Sequence, residues 1–199
     1  MRIIAGQWGG RRLFSPGPQV RPTQDRVRQI LFDILGRTVE EGAILDLYAG
    51  SGALGLEALS RGAPRAVFVE SHRRTCAVLE RNCAVLGAQS VSRILGMTAH
   101  SALALLRREE ARFRWIVADP PYFEADRSAL LSVLGEEAGA LLAPGGGLAL
   151  EASSREKVPD GVGRLRRVRL RVVGETSLHL FAQAGTPAGV PANREGAEG

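Results

Sequence analysis

Residues 43–55 read AILDLYAGSGALG, and this stretch decides the fold class. An apolar run ends in a loop whose glycines, Gly50, Gly52 and Gly55, have the spacing G-x-G-x-x-G. A helical pattern follows directly, over residues 53–61. A strand, a glycine loop and a helix in this order are typical of nucleotide-binding α/β folds, in which the glycines allow a tight turn and a close approach of the backbone to the ligand.

The same alternation of short apolar runs and helical patterns continues downstream, which predicts βαβ units and a buried parallel sheet. The last patterned segment alternates Arg with apolar residues, turns at Gly174-Glu175 and alternates again, which predicts an antiparallel hairpin. The predicted strands are 43–48, 66–70, 92–96, 114–119, 147–152, 166–172 and 176–182, and the predicted helices are 53–61, 72–86, 99–110 and 127–142.

The two ends of the chain have different patterns. Residues 2–14 alternate around glycines and predict a β-hairpin or an extended arm. A helix follows, with Thr23 as its N-cap and Gly36 at its end. The predicted organisation is a basic arm and helix (1–37), an α/β domain (38–183) and a disordered tail (184–199) without a core-forming pattern.

Composition excludes several classes of protein. With 199 residues, 45% hydrophobic and 24% charged, the chain is expected to form one globular domain. It contains no apolar stretch of about 18 residues, and the N-terminus lacks the apolar core of a signal peptide, so we expect a cytoplasmic protein without a membrane span. The Cys and His residues lack the spacing of metal ligands, and no metal is expected.

The net charge of +5 is unevenly distributed. Residues 1–37 hold seven Arg and two Asp, residues 164–181 hold five Arg and one Glu, and the region between them has a net charge of −3. Arg presents a planar fork of donors that suits phosphates and guanine edges. Two arginine-rich ends around an acidic middle therefore favour nucleic acid as the partner.

Three acidic positions lie at predicted strand ends. Glu70 ends the second strand, twenty residues after Gly50, where an acid can accept hydrogen bonds from ribose hydroxyls; a NAD enzyme has the same feature and stays an alternative. Asp46 lies just before the glycines and suits a ligand with an ammonium group. Residues 119–122 read DPPY and end the fourth strand, at the sheet edge where such folds bind ligands.

With these motifs the chain resembles the class I S-adenosylmethionine-dependent methyltransferases. It resembles more closely the RsmD-type family, which methylates the exocyclic amine of a guanine in 16S ribosomal RNA. The resemblance covers about residues 1–182, and its family-specific part is RIIAGQWGGRRL (2–13) with RPTQDRVRQILFDIL (21–35). It implies a Rossmann-like α/β fold: seven strands, mostly parallel, with helices on both faces and a terminal antiparallel hairpin.

The resemblance also implies the cofactor, S-adenosylmethionine, and roles for particular residues. Thr98 stands where the family normally has an Asp or Asn next to the adenine. The implied cofactor-binding residues are Asp46, Tyr48, Gly50, Ser51 and Gly52 at the glycine loop, Glu70 at the ribose, and Thr98 and Ala99 at the adenine. The implied catalytic residues are Asp119, Pro120, Pro121 and Tyr122, where Asp119 and the Pro120 carbonyl hold the target amine and Tyr122 stacks on the base.

The expected macromolecular partner is 16S rRNA or the assembling 30S subunit, bound by a monomer. The phosphate contacts are expected from Arg2, Arg11, Arg12, Arg21, Arg26 and Arg28. Three alternatives stay open on the residues alone: an amino-methyltransferase of DNA adenine or of protein glutamine, a NAD-linked oxidoreductase, and a catalytically inactive RNA-binding module.

Overall fold

The computed structural model describes residues 1–15, 22–120 and 127–183. The predicted tail, 184–199, lies outside the described residues. The described strands are β1 (Ile44–Leu47), β2 (Ala66–Val69), β3 (Ser92–Leu95), β4 (Phe113–Ala118), β5 (Leu142–Ser153), β6 (Gly161–Val162), β7 (Leu165–Val173) and β8 (Thr176–Gln183). The α-helices are α1 (Pro22–Leu35), α2 (Ala53–Ser60), α3 (Arg73–Leu86), α4 (Ala99–Arg108) and α5 (Arg127–Val133).

The strands form one sheet in the order β3-β2-β1-β4-β5-β8-β7-β6. The first five are parallel, and β8 and β7 continue the sheet antiparallel, which confirms the Rossmann-like fold and the terminal hairpin. The chain adds β2 and β3 on one side of β1 and then β4 and β5 on its other side, so β1 and β4 form the switch point of the sheet. Folds of this kind bind ligands in the crevice outside the carboxyl ends of those two strands. Buried apolar side chains cover both faces of the sheet.

The predicted number of strands is wrong. The sheet has eight strands among the described residues instead of seven, because Gly161–Val162 pairs with the start of β7. The helix predicted over 127–142 is present over residues 127–140, with a π-helical turn at Leu134–Ala138. Gly135 lies in that turn, and a Cβ there would be 2.4 Å from the backbone of Val162. A glycine at this position therefore allows the helix to pack closely against β6.

The N-terminal arm (residues 1–15) makes one antiparallel bridge, between Arg2 and Arg12, rather than two regular strands. Its apolar side chains Ile3 and Leu13 are buried in the same cluster as the inner face of α1, so the arm shares a core with the sheet. Helix α1 begins at Pro22, a residue favoured in a first turn, which puts Thr23 inside the helix and makes its prediction as N-cap wrong. Among the described residues, no helix is both long and apolar enough to cross a membrane.

Candidate functional site

The glycine loop connects β1 to α2 at the carboxyl edge of the sheet. Gly50 and Gly52 have left-handed backbones, with φ of +56° and +85°, which favour glycine. A Cβ on Gly52 would lie 2.3 Å from Leu79 Cδ1, and a Cβ on Gly55 would lie 2.3 Å from the Phe68 ring. The last two glycines thus let the loop and α2 pack tightly on β2 and α3, which fixes the path of the loop.

Two of the predicted carboxyl groups hold this loop in place. Asp46 is buried in β1, and its Oδ2 accepts a hydrogen bond from the backbone N–H of Gly55 at 2.8 Å. Glu70 follows β2, and its Oε2 accepts from the N–H of Gly50 at 3.0 Å. Its Oε1 accepts from the N–H of His72 at 2.7 Å. Both carboxyl groups therefore also have a structural task, the fixing of the turn that carries the glycines.

Two carboxyl groups at this sheet edge, Asp46 and Glu151, have raised pKa values. Burial raises the pKa of Asp46 to about 7, and the charges of Asp119 and Glu70 add to the rise, against the hydrogen bond from Gly55. Burial and the charge of Asp119 raise the pKa of Glu151 to about 8, while the charge of Arg28 opposes this. These groups lie at the ends of four neighbouring strands, and a cation among them would relieve the repulsion. The site therefore fits a ligand that carries positive charge.

Glu151 is a residue that the motifs did not select. The register pairs Ala118 in β4 with Leu150 in β5, so Glu151 and Asp119 follow these partners at the same sheet edge. An acid at the end of the strand next to the DPPY strand was the available signal. Its raised pKa and its electrostatic interaction with Asp119 make it part of the acidic site.

The stability of the unliganded protein is expected to fall as the pH rises through the titration of Asp46. Folding raises the pKa of this carboxyl group from its value in the unfolded chain, near 4, to about 7. Its contribution to stability is therefore fully present below about pH 4 and is lost as the pH rises to about 7. From those two pKa values the loss is about 4 kcal/mol at most.

The test is urea unfolding of the wild type and of Asp46→Asn between pH 5 and pH 8, without ligand. The substitution keeps an oxygen that can accept from Gly55 but removes the charge. We expect the free energy of unfolding to fall less steeply with pH in the variant. Glu151→Gln serves as a comparison because it removes only the Glu151 titration. Equal slopes in the wild type and Asp46→Asn would show that Asp46 is not responsible.

The other predicted cofactor residues lie in the loop itself or between β3 and α4. Tyr48 is half-buried with a positive φ of +64°, and Ser51 is half-buried between the two left-handed glycines. Thr98 is the N-cap of α4, where its Oγ1 accepts from the N–H of Ser101 at 3.2 Å, and Ala99 begins that helix. The hydroxyl of Thr98 therefore has a capping role at the place expected to border the adenine.

The predicted catalytic motif lies partly in the described structure. Asp119 is half-buried and Pro120 is buried, directly after β4. Asp119 is close enough to Asp46 and Glu151 to raise the pKa of each. The other two predicted residues, Pro121 and Tyr122, lie outside the described residues. The structure thus brings Asp119 together with the glycine-loop carboxyl groups at one sheet edge.

The predicted phosphate-binding arginines separate into two groups. Arg28 is buried, with its side chain 4% exposed, and this contradicts its prediction as a phosphate contact. Its guanidinium pairs with Asp25 at 2.9 Å, lies 3.7 Å from Glu57 and donates to the carbonyl of Arg2 at 2.6 Å. It therefore anchors the arm. Arg2, Arg11, Arg12 and Arg26 are exposed, and Arg21 lies outside the described residues.

A metal centre has no support in the side-chain arrangement. Within 1–15, 22–120 and 127–183, no group of three or more Cys, His, Asp or Glu side chains could hold a metal ion.

Comparison with known proteins connects this site to a family. The family model described as "Conserved hypothetical protein 95" matches residues 1–182. The chain is 42% identical over 188 residues to "Ribosomal RNA small subunit methyltransferase D" of Escherichia coli strain K12, covering 91% of this chain and 89% of the relative.

Solved structures agree on the fold. A hypothetical protein of Thermus thermophilus matches with a TM-score of 0.79 at 31% identity, over 92% of this chain and 99% of that one. A more distant structure, solved in complex with S-adenosylhomocysteine (SAH), matches with a TM-score of 0.67 at 14% identity, over 81% of this chain and 50% of that one. The last likeness concerns the fold alone.

Proposed function

The chain belongs to the RsmD-type family of ribosomal RNA small subunit methyltransferases, and from this membership we propose that it methylates the N2 amine of a guanine in 16S rRNA with S-adenosylmethionine. The observation that carries the proposal is the 42% identity to a small subunit rRNA methyltransferase over nearly the whole chain. The acidic, glycine-lined crevice supports it, because S-adenosylmethionine carries an ammonium and a sulfonium cation.

We propose that the cofactor binds along this acidic sheet edge. Asp46, with the loop residues Tyr48, Gly50, Ser51 and Gly52, would hold the methionine end. Glu70 would accept from the ribose hydroxyls, and Thr98 with Ala99 would border the adenine. When bound, S-adenosylmethionine supplies an electrophilic methyl group attached to a positively charged sulfur.

The chain's own contribution to the reaction is to position the amine. The lone pair of guanine N2 is delocalised into the ring, which makes the amine a poor nucleophile. In our proposal the Asp119 carboxylate and the Pro120 carbonyl each accept a hydrogen bond from one of its two N–H groups. This directs the lone pair toward the methyl group. Pro121 has no N–H and keeps the backbone rigid, and Tyr122 stacks on the base. The amine becomes acidic only as the N–C bond forms, so orientation matters more than base strength.

The exposed arginines of the arm are proposed to bind RNA phosphates. Replacing Arg11 and Arg12 together by Ala is expected to weaken 16S RNA binding while SAH affinity is unchanged. The slope of log K against log salt concentration is expected to become shallower by the equivalent of about two phosphate contacts. The measurement is RNA binding between 50 and 200 mM salt. The matched control is Arg65→Ala with Arg112→Ala, two exposed arginines before β2 and β4, at the opposite sheet edge. Equal losses in both double variants would contradict the proposal.

The reaction itself is tested by nucleoside mass analysis of 16S rRNA from a strain that lacks the protein. Loss of one N2-methylguanosine, restored by the wild-type gene, is the expected result. Retention of that nucleoside at every site would favour the DNA adenine or protein glutamine alternative. Tight NAD binding without SAH binding in calorimetry would instead favour the oxidoreductase. Methylation of naked 16S RNA compared with assembled 30S particles identifies the form of the substrate.

A further inference from the structure

Asn82 is a buried polar residue of α3 that connects two distant parts of the chain. Its side chain is fully buried. Its Oδ1 accepts from the N–H of Phe14 at 2.8 Å, and its Nδ2 donates to the carbonyl of Phe14 at 3.0 Å. The same Nδ2 donates to the carbonyl of Ser51 at 2.8 Å. One amide group thus joins the end of the arm to the middle of the glycine loop.

The orientation of this amide is determined by its partners. Asn82 has three backbone partners, two carbonyl oxygens and one N–H group. The Nδ2 group has two N–H bonds and faces the two carbonyl oxygens, while Oδ1 faces the N–H group. A flipped amide would set its oxygen against both carbonyls. All three backbone groups are therefore satisfied by Asn82 in one orientation, and they lose their partner together when it is replaced.

The neighbourhood of Phe14 belongs to the basic surface of the arm. The guanidinium of Arg81, the residue before Asn82 in α3, lies 3.5 Å from the centroid of the Phe14 ring. Arg11 donates to the carbonyl of Val85 in the same helix at 3.4 Å. The exposed Arg11 and the Phe14 ring therefore contact the same helix, α3, on either side of Asn82.

The first half of the arm is held by other groups. Ser60 in α2 donates to the carbonyl of Ala5 at 2.5 Å and accepts from the N–H of Trp8 at 3.0 Å. The buried Glu57 accepts from the N–H groups of Ile4 and Ala5. Because these side-chain hydrogen bonds of Ser60 run to the arm, its replacement loosens the arm at a point away from Asn82 and the glycine loop.

We propose that Asn82 is a positioning residue that couples RNA binding on the arm to the shape of the cofactor loop. The inference rests on the function proposed above. With the arm docked, Asn82 holds the Ser51 carbonyl between the two left-handed glycines, and an undocked arm leaves that carbonyl less restrained. RNA on the arm and the cofactor in the loop then favour the same arrangement. Each ligand is expected to raise the affinity of the other by the same factor.

The test measures SAH affinity by calorimetry on the full chain, with and without 16S RNA. In the wild type we expect RNA to tighten SAH binding by about five- to tenfold, within the usual range of such coupling. Asn82→Asp keeps the acceptor for Phe14 but removes both donors, and we expect its ratio to fall to about one. Ser60→Ala is the control, and we expect it to bind RNA more weakly while the ratio of SAH affinities with and without RNA stays as in the wild type. The proposal would be overturned if RNA left the SAH affinity of the wild type unchanged. It would also be overturned if RNA tightened SAH binding in Asn82→Asp as much as in the wild type.

A second measurement does not depend on the variant folding. In the wild type without RNA, SAH is expected to slow hydrogen exchange of the Phe14 amide and to leave the Ile4 amide, bound to Glu57, unchanged. Equal effects on both amides, or none on Phe14, would refute the coupling even if SAH binds and the RNA is methylated. Absence of SAH binding would refute the proposed function as well, so the two failures are distinguishable.

Discussion

Replacing Asp119 by Asn is expected to reduce the rate of methyl transfer to 16S RNA by roughly 10²-fold, the size of loss that a misplacement of the reacting group by about 1 Å can cause. The amide has nearly the same shape as the carboxylate but turns one acceptor oxygen into a donor, which opposes the amine's N–H. Since the charge of Asp119 also raises the pKa of Asp46, the variant is expected to keep an ionised Asp46 and to bind SAH.

Single-turnover methylation with radiolabelled cofactor, at saturating RNA, measures this loss separately from binding. Asp33→Asn is the matched control, because Asp33 is an exposed carboxyl group of α1 that pairs with Arg61 at 3.5 Å. It is expected to leave the rate unchanged. A rate for Asp119→Asn within threefold of the control would exclude Asp119 as the residue that holds the amine.

The fold was largely predictable because its main signals are local. A buried parallel strand needs a continuous apolar run, and a glycine loop with a following helix defines the first βαβ unit without help from distant residues. The errors occurred where distant contacts decide. Strand β6 has two residues and no pattern of its own, and it is recognisable only by its pairing with β7.

The residues of the candidate site were predictable for the same reason, but the buried polar residues that hold the surrounding segments in place were not. Asp46 lies within an apolar strand and Glu70 directly follows one, and acids are rare enough at such positions to be noticed. Glu57, Asn82 and Arg28 lie in helices, where a charged or polar residue ordinarily indicates a solvent-exposed face. Apart from the neighbouring ion-pair partners Asp25 and Arg61, the groups that they bind belong to distant segments, up to 68 residues away, and no local spacing shows those contacts. A charged residue within the otherwise apolar run ALGLEALS was the available signal for Glu57.

Glu57→Gln is accordingly expected to lower the free energy of unfolding by about 3 kcal/mol, the lower part of the range for breaking a buried ion pair. Glu57 is fully buried, and its carboxylate faces Arg28 at 3.7 Å and Arg61 at 2.8 Å. It also accepts from two N–H groups of the arm, and an amide can accept from only one of them with its oxygen. Arg28 keeps Asp25 as a partner, which limits the loss.

Urea unfolding measures the change, and hydrogen exchange locates it. The Ile4 and Ala5 amides are expected to exchange faster in Glu57→Gln, since the arm loses its anchor on α2. Glu40→Gln is the control, because Glu40 pairs with the exposed Arg37 at 3.4 Å and such surface pairs contribute about 0–1 kcal/mol. Equal stabilities of the two variants would mean that the buried carboxylate contributes no more than a surface pair. The arm would then owe its position to the packing of Ile3 and Leu13 and to the hydrogen bonds of Ser60 and Asn82.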